Sequence, residues 1–258
     1  MSVAIKAAMP SLQSRAEKLS REFHLPLFSE KNNFNYFLNV TEEHIELISK
    51  KEKNFLPIYV DFLEDKFLRR TFKKNLSEEL LAKAVGVKKN SKLQVWDLTA
   101  GWGCDAFLLV MMGCDVRMIE RSVPMVILLQ DGLERFFQYQ RDISSSQFSL
   151  VYADSLDFLN KTDEKPDVIC LDPMYPSTRK SALVKKEMQI LKELLEPQED
   201  ITPLFLAAMK KAKKRVVIKR GLHSPFVGNK RPDFQFLGKS IRFDVFRTIT
   251  VRGCEGGY

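Results

Sequence analysis

Val95-Trp96-Asp97-Leu98-Thr99-Ala100-Gly101-Trp102-Gly103-Cys104-Asp105 is the stretch on which the fold class turns. A short apolar strand runs into two closely spaced glycines, and Ala106 to Met112 reads as the helix that follows. Glycine lets backbone approach a ligand where a side chain would clash. The loop is not a full G-x-G-x-x-G, since Cys104-Asp105-Ala106 occupies the third glycine region, so the turn alone is also compatible with a purely structural role.

On either side of this loop the chain alternates short apolar runs with helix-length segments. Leu93 to Leu98, Val116 to Ile119, Phe148 to Tyr152, Val168 to Leu171 and Val216 to Ile218 are the expected strands. Such alternation predicts an α/β fold, a mostly parallel sheet with helices on both faces. Ser240 to Val251 predicts one or two antiparallel closing strands, and the Pro- and Gly-containing stretch Gly221 to Asp233 a mobile substrate loop. Residues 1–85 read as a small β-rich accessory lobe with strands at 36–40, 44–48 and 57–62, and residues 86–258 as the main domain. Glu78 to Val85 reads as a helix begun by Ser77 and ended by Gly86.

Composition bounds the partners. The chain has 258 residues, 45% of them apolar, and 41 Lys and Arg against 33 Asp and Glu, a net charge of +8 that favours a polyanion. Ala106 to Gly113 is too short to span a membrane, and the start of the chain lacks a signal-peptide core, so a cytoplasmic protein without a membrane partner is expected. Cys104, Cys114, Cys170 and Cys254 form no CxxC pair, and His24, His44 and His223 have no metal spacing, so no metal is expected.

Three strand ends mark a ligand site. The glycine turn follows Asp97; Glu120 ends the second strand, placed to accept ribose hydroxyls; Asp154-Ser155 after the third could reach an adenine edge. These features would also suit a nicotinamide enzyme. The fourth strand separates the two, because Leu171-Asp172-Pro173-Met174-Tyr175-Pro176 is similar to the Asp/Asn-Pro-Pro-Tyr/Phe motif of methyltransferases that act on planar amines. The lone pair of such an amine is delocalised into its ring. Asp172 and the Pro173 carbonyl are the candidate acceptors that would localise it, and Tyr175 offers a face for stacking an extruded base.

Taken together, Asp97 to Phe107, Met118-Ile119-Glu120-Arg121, Leu171 to Pro176 and Lys180 to Met188 resemble the bacterial 16S rRNA guanine-N2 methyltransferase family called RsmJ. Similarity extends to Val60-Asp61-Phe62, Ala82 to Val87, Val216 to Arg220 and Arg242-Phe243-Asp244. The resemblance implies a Rossmann-like class I fold and S-adenosyl-L-methionine as methyl donor. It places the donor at Cys104-Asp105, Glu120-Arg121, Asp154-Ser155 and Asp172, beside Asp97, Gly101 and Gly103. Its substrate would be guanine 1516 of 16S rRNA, in free RNA or in the small ribosomal subunit. Cys104 stands where the family often has arginine, and Tyr175 where phenylalanine is common.

With RNA as the expected partner, the cationic helix-like segment carrying Arg179, Lys180, Lys185 and Lys186 becomes a candidate phosphate contact. So do Arg69 and Arg70, which alone read as a solvated helix face, and Lys219-Arg220 at a strand end. An adenine-N6 or cytosine-N4 methyltransferase would use the same Asp-Pro chemistry, and a noncatalytic RNA-binding assembly protein could keep the same fold.

Overall fold

The computed structural model describes residues 3–50, 56–64, 78–88, 92–173 and 200–248. It contains two sheets. The larger has seven strands, built from β4 (Gln94–Asp97), β5 (Asp115–Glu120), β6 (Phe148–Tyr152), β7 (Val168–Leu171), β8 (Arg215–Gly221), β9 (Phe234–Leu237) and β10 (Ile241–Arg247), in the order β6-β5-β4-β7-β8-β10-β9. Neighbours from β6 through β8 pair parallel, whereas β10 runs antiparallel to both β8 and β9.

From β4 the chain first builds outward through β5 and β6, then returns to the other side of β4 with β7. That reversal opens a crevice at the carboxyl ends of β4 and β7, where open α/β sheets bind ligands. A dinucleotide-binding sheet has six parallel strands in the order 3-2-1-4-5-6; here an antiparallel strand is wedged between the fifth and the sixth.

Strands buried on both faces read as continuous apolar runs, and period-two alternation sorts their side chains. Val168, Cys170 and Val217 join one core with α2 (Leu80–Val85), α3 (Cys104–Met111) and α4 (Val123–Tyr139). Ile169, Leu171, Val216 and Ile218 join the opposite core with α5 (Ser155–Lys161) and α6 (Thr202–Lys211). Gly86 closes α2 in the left-handed conformation (φ 79°), as its position in the sequence predicts. Ser77, the expected cap, lies outside the described residues, and the helix begins at Leu80.

The smaller sheet contains β1 (Val3–Ala7), β2 (Tyr36–Val40) and β3 (Ile45–Ser49), with α1 (Gln13–Phe23) crossing from β1 to its parallel neighbour β2. Sequence reading finds β2 and β3 but not β1 or α1. The strand expected over 57–62 is reduced to one bridge, Ile58 to Leu47. Its continuation serves the larger core instead, where the Phe62 ring centroid lies 5.3 Å from Phe107 and 5.1 Å from Phe148.

A buried carboxylate ties the sheets together. Asp131 on α4 accepts from the backbone N–H of Ile45 at 2.9 Å, from Arg15 at 3.1 Å and from Arg135 at 3.2 Å. The next residue, Gly132, lies so close to Val60 that an added Cβ would be 2.8 Å from its Cγ1. The stretch after β8, expected to be mobile, is clamped from beneath. Buried Arg242, paired with Asp244 at 2.9 Å, donates to the carbonyls of Gly221, Leu222 and Ser224, and Arg220 donates to that of Pro225.

Candidate active site

The strand ends named from the sequence converge. Between β4 and α3, Gly101 and Gly103 take positive φ values of 51° and 72°. A Cβ on Gly103 would also come within 3.1 Å of Phe62 and Leu129, so glycine meets both a backbone and a packing requirement there. Glu120 at the tip of β5 is buried under this turn and accepts from the N–H groups of Gly101 (3.1 Å), Arg121 (2.9 Å) and Ser122 (2.8 Å). Burial raises its carboxyl above the ordinary value, and the three backbone bonds oppose that rise.

Asp154 caps α5 by accepting from Leu156 at 2.9 Å and Asp157 at 3.2 Å, and its other oxygen lies 3.8 Å from Arg121. Ser155 is turned inward and donates to the carbonyl of Leu98 at 2.6 Å. Its hydroxyl therefore ties α5 to Leu98, the residue after β4. Cys104 is exposed at the first position of α3.

The other half of the site is a cluster of charges. Asp97 at the end of β4, Asp105 on α3 and Asp172 after β7 surround Lys219 of β8 in a cleft whose apolar walls include Leu81, Val217 and Phe243. Lys219 Nζ is 2.9 Å from Asp105 and 2.8 Å from Asp172. Burial would depress its ammonium, but the two carboxylates hold it above the ordinary lysine range. Asp97 accepts from the Thr99 N–H at 3.1 Å; burial, helped by Asp105 and Asp172, pushes its carboxyl up to about 7. Burial also raises Asp172, with Lys219 pulling it back.

Thr99, which sequence reading missed, fixes the two loops together: its hydroxyl accepts from the Asp172 N–H at 2.6 Å. Pro173 follows, buried. Met174, Tyr175, Arg179, Lys180, Lys185, Lys186, Arg69 and Arg70 lie outside the described residues.

Two expected RNA contacts are corrected here. Lys219 points into the carboxylate cluster, and Arg220 is 3% exposed beneath the 221–225 stretch, so neither presents a free cation to phosphate. Alternation explains both. Lys219 shares the face of Val217, and Arg220 that of Ile218.

Among the described residues, three carboxylates face one ammonium in this cleft, an acidic balance suited to a ligand bearing positive charge. Beside it stand a glycine turn and a carboxylate at the second strand tip. The sheet order and this site define a class I S-adenosyl-L-methionine-dependent methyltransferase. A SAM-dependent methyltransferase family model matches residues 18–248. Ribosomal RNA small subunit methyltransferase J of Coxiella burnetii is 43% identical over 245 residues, 95% of this chain and 96% of that protein. The protein of the same name from Thioalkalivibrio sulfidiphilus is 38% identical, over 95% and 98% of the two chains. The chain belongs to this methyltransferase J family. A crystal structure of a SAM-dependent methyltransferase from Neisseria gonorrhoeae, 28% identical, superposes with a TM-score of 0.72 over 99% of this chain and 100% of that one.

The donor fits the residues present. Its sulfonium and ammonium charges match the acidic cleft around Asp97, and its ribose hydroxyls match Glu120. Among the described residues no group of three or more His, Cys, Asp or Glu could hold a metal ion, and no helix is long and apolar enough to cross a membrane.

Proposed function

We propose that this enzyme methylates the exocyclic N2 of a guanine in small-subunit ribosomal RNA, guanine 1516 of 16S rRNA by its family resemblance. The observation that carries the reading is the Asp172-Pro173 pair at the tip of β7, beside the glycine turn of β4 and tied to it through Thr99. Bound donor supplies a methyl group made electrophilic by its sulfonium. Glu120 and the Gly101–Gly103 backbone hold its adenosyl end, and Asp97 and Asp105 face its cationic end.

Asp172 and the Pro173 carbonyl accept the amine protons, which frees the nitrogen lone pair for in-line attack, and Asp172 takes the proton released. Tyr175 stacks on the extruded base. Arg69, Arg70, Arg179, Lys180, Lys185 and Lys186 contact flanking phosphates. Residues 1–85 act as an RNA-contacting lobe and 86–258 as the catalytic domain, working on cytoplasmic ribosomal RNA.

The test is transfer of labelled methyl to small ribosomal subunits lacking the modification, followed by nucleoside analysis, with Asp172→Ala in parallel. Label in N2-methylguanosine that disappears in the variant is expected. Label in N6-methyladenosine or N4-methylcytidine would overturn the choice of base.

A further inference from the structure

Lys219 belongs to no sequence motif of the reaction, yet it is the cation that contacts the proposed amine-proton acceptor. Its Nζ lies 2.8 Å from Asp172 Oδ2 and 2.9 Å from Asp105 Oδ2, and it is itself half-buried in an apolar-walled cleft. A surface lysine seeking phosphate would keep its ammonium in water. This one is held between two carboxylates contributed by different elements, α3 and the end of β7.

We propose that Lys219 is a positioning residue for methyl transfer, fixing Asp172 through Oδ2 in its ionised form so that Oδ1 remains available to the target amine. The proposal rests on the function assigned to Asp172 above and deepens it. Two consequences follow from the geometry. A carboxylate held by one oxygen presents the other in a fixed direction, and orientation of this kind controls rate more than affinity. Burial favours protonation of Asp172, and repulsion from the Asp105 carboxylate of α3 adds to it. A protonated Asp172 cannot accept an amine proton.

Among the described residues that line the cleft there is no second cation. Leu81 from α2 and Phe243 from β10 do not titrate, and the Cys170 thiol on β7 is raised well above its usual value by burial. Among the described residues lining the cleft, Lys219 is the cation.

The deciding experiment compares wild type, Lys219→Met and Lys219→Arg in two readouts. The first is a carbon-detected NMR titration of Asp172 in donor-free protein. The second is single-turnover methylation of the undermethylated subunit as a function of pH and salt. The expected result for Lys219→Met is a higher Asp172 titration midpoint, a turnover rate lower by about 100-fold with its acid limb moved upward, and RNA affinity within about twofold of wild type. Lys219→Arg should restore much of both. An unchanged Asp172 midpoint, or a variant whose loss lies in RNA affinity and salt dependence with turnover intact, would overturn the proposal. Wild-type protein that methylates nothing while the Asp172 midpoint still shifts would overturn the assigned reaction and, with it, the catalytic meaning of the contact. Full wild-type activity with an unmoved midpoint overturns the Lys219 proposal alone.

Discussion

At the tip of β5 Glu120 meets three backbone N–H groups, whereas Asp97 at the tip of neighbouring β4 meets one and faces two more carboxylates. Both are buried. The first is an acceptor fixed by peptide dipoles, its oxygens already oriented before any ligand arrives. The second belongs to a titrating cluster whose cation among the described residues is Lys219, and its charge state depends on what enters the cleft. One end of the site therefore holds by geometry and the other responds to charge, which suits a donor whose adenosyl end is neutral and whose reactive end is cationic.

The strongest way to break this division is Asp172→Ala. If Asp172 serves chemistry while Asp97 and Asp105 hold the donor's cationic end, turnover should fall about 10³-fold while donor affinity, measured by calorimetry, stays within a few-fold of wild type. Loss of donor affinity matching the loss of rate would merge the two ends into a single binding site.

Asp97→Asn probes the electrostatic side through stability. The folded-state value of about 7 exceeds the ordinary 3.8, so below pH 3.8 this group favours neither state. As pH rises from 3.8 the unfolded carboxyl ionises first, stability is progressively lost, and the loss is complete near pH 7. The full shift corresponds to about 4 kcal/mol, and relaxation around the cluster lowers the expected effect to about 2 kcal/mol. Urea melts at pH 5 and pH 8 should show wild type losing more stability than Asp97→Asn between the two. Equal slopes would mean that Asp97 is ionised in the folded protein throughout.

Glu120→Gln keeps the size and one acceptor oxygen but removes the charge. Donor affinity should weaken about 10-fold, with the rate at saturating donor near wild type and little pH dependence in the ratio. A rate loss larger than the affinity loss would place Glu120 in the chemistry.

How much of this was readable in advance depends on the range of the interaction. The strands Phe148 to Tyr152 and Val168 to Leu171 appear with the bounds their apolar runs predict, and the glycine turn, Glu120 and Asp172 converge as strand order requires. Adjacent lysine and arginine at 219–220 read as one basic patch, although strand alternation already assigns them to opposite faces. Only the three-dimensional packing puts Asp105 and Asp172 around one of them and a loop over the other. The Asp131 junction was less accessible still, because Arg15 is 116 residues away and the Ile45 N–H 86, with no local pattern linking them. The i,i+4 pair Asp131 and Arg135 was the visible trace, and on a helix it reads equally well as a solvated ion pair.

Ser155→Ala gives the smallest effect and sharpens the boundary of the donor end. Position alone, three residues past the tip of β6, assigns this serine to the ligand; the 2.6 Å bond from its hydroxyl to the Leu98 carbonyl assigns it to the scaffold. The two assignments separate in measurement. A scaffold role predicts a stability loss of about 1 kcal/mol from the vacated buried bond, with donor affinity within about twofold of wild type. A ligand role predicts unchanged stability and weaker donor binding. The first outcome would leave Asp154, whose second oxygen faces Arg121, as the side chain of this pair that faces the donor, and would confine the geometric half of the site to the β4 turn, Glu120 and that carboxylate.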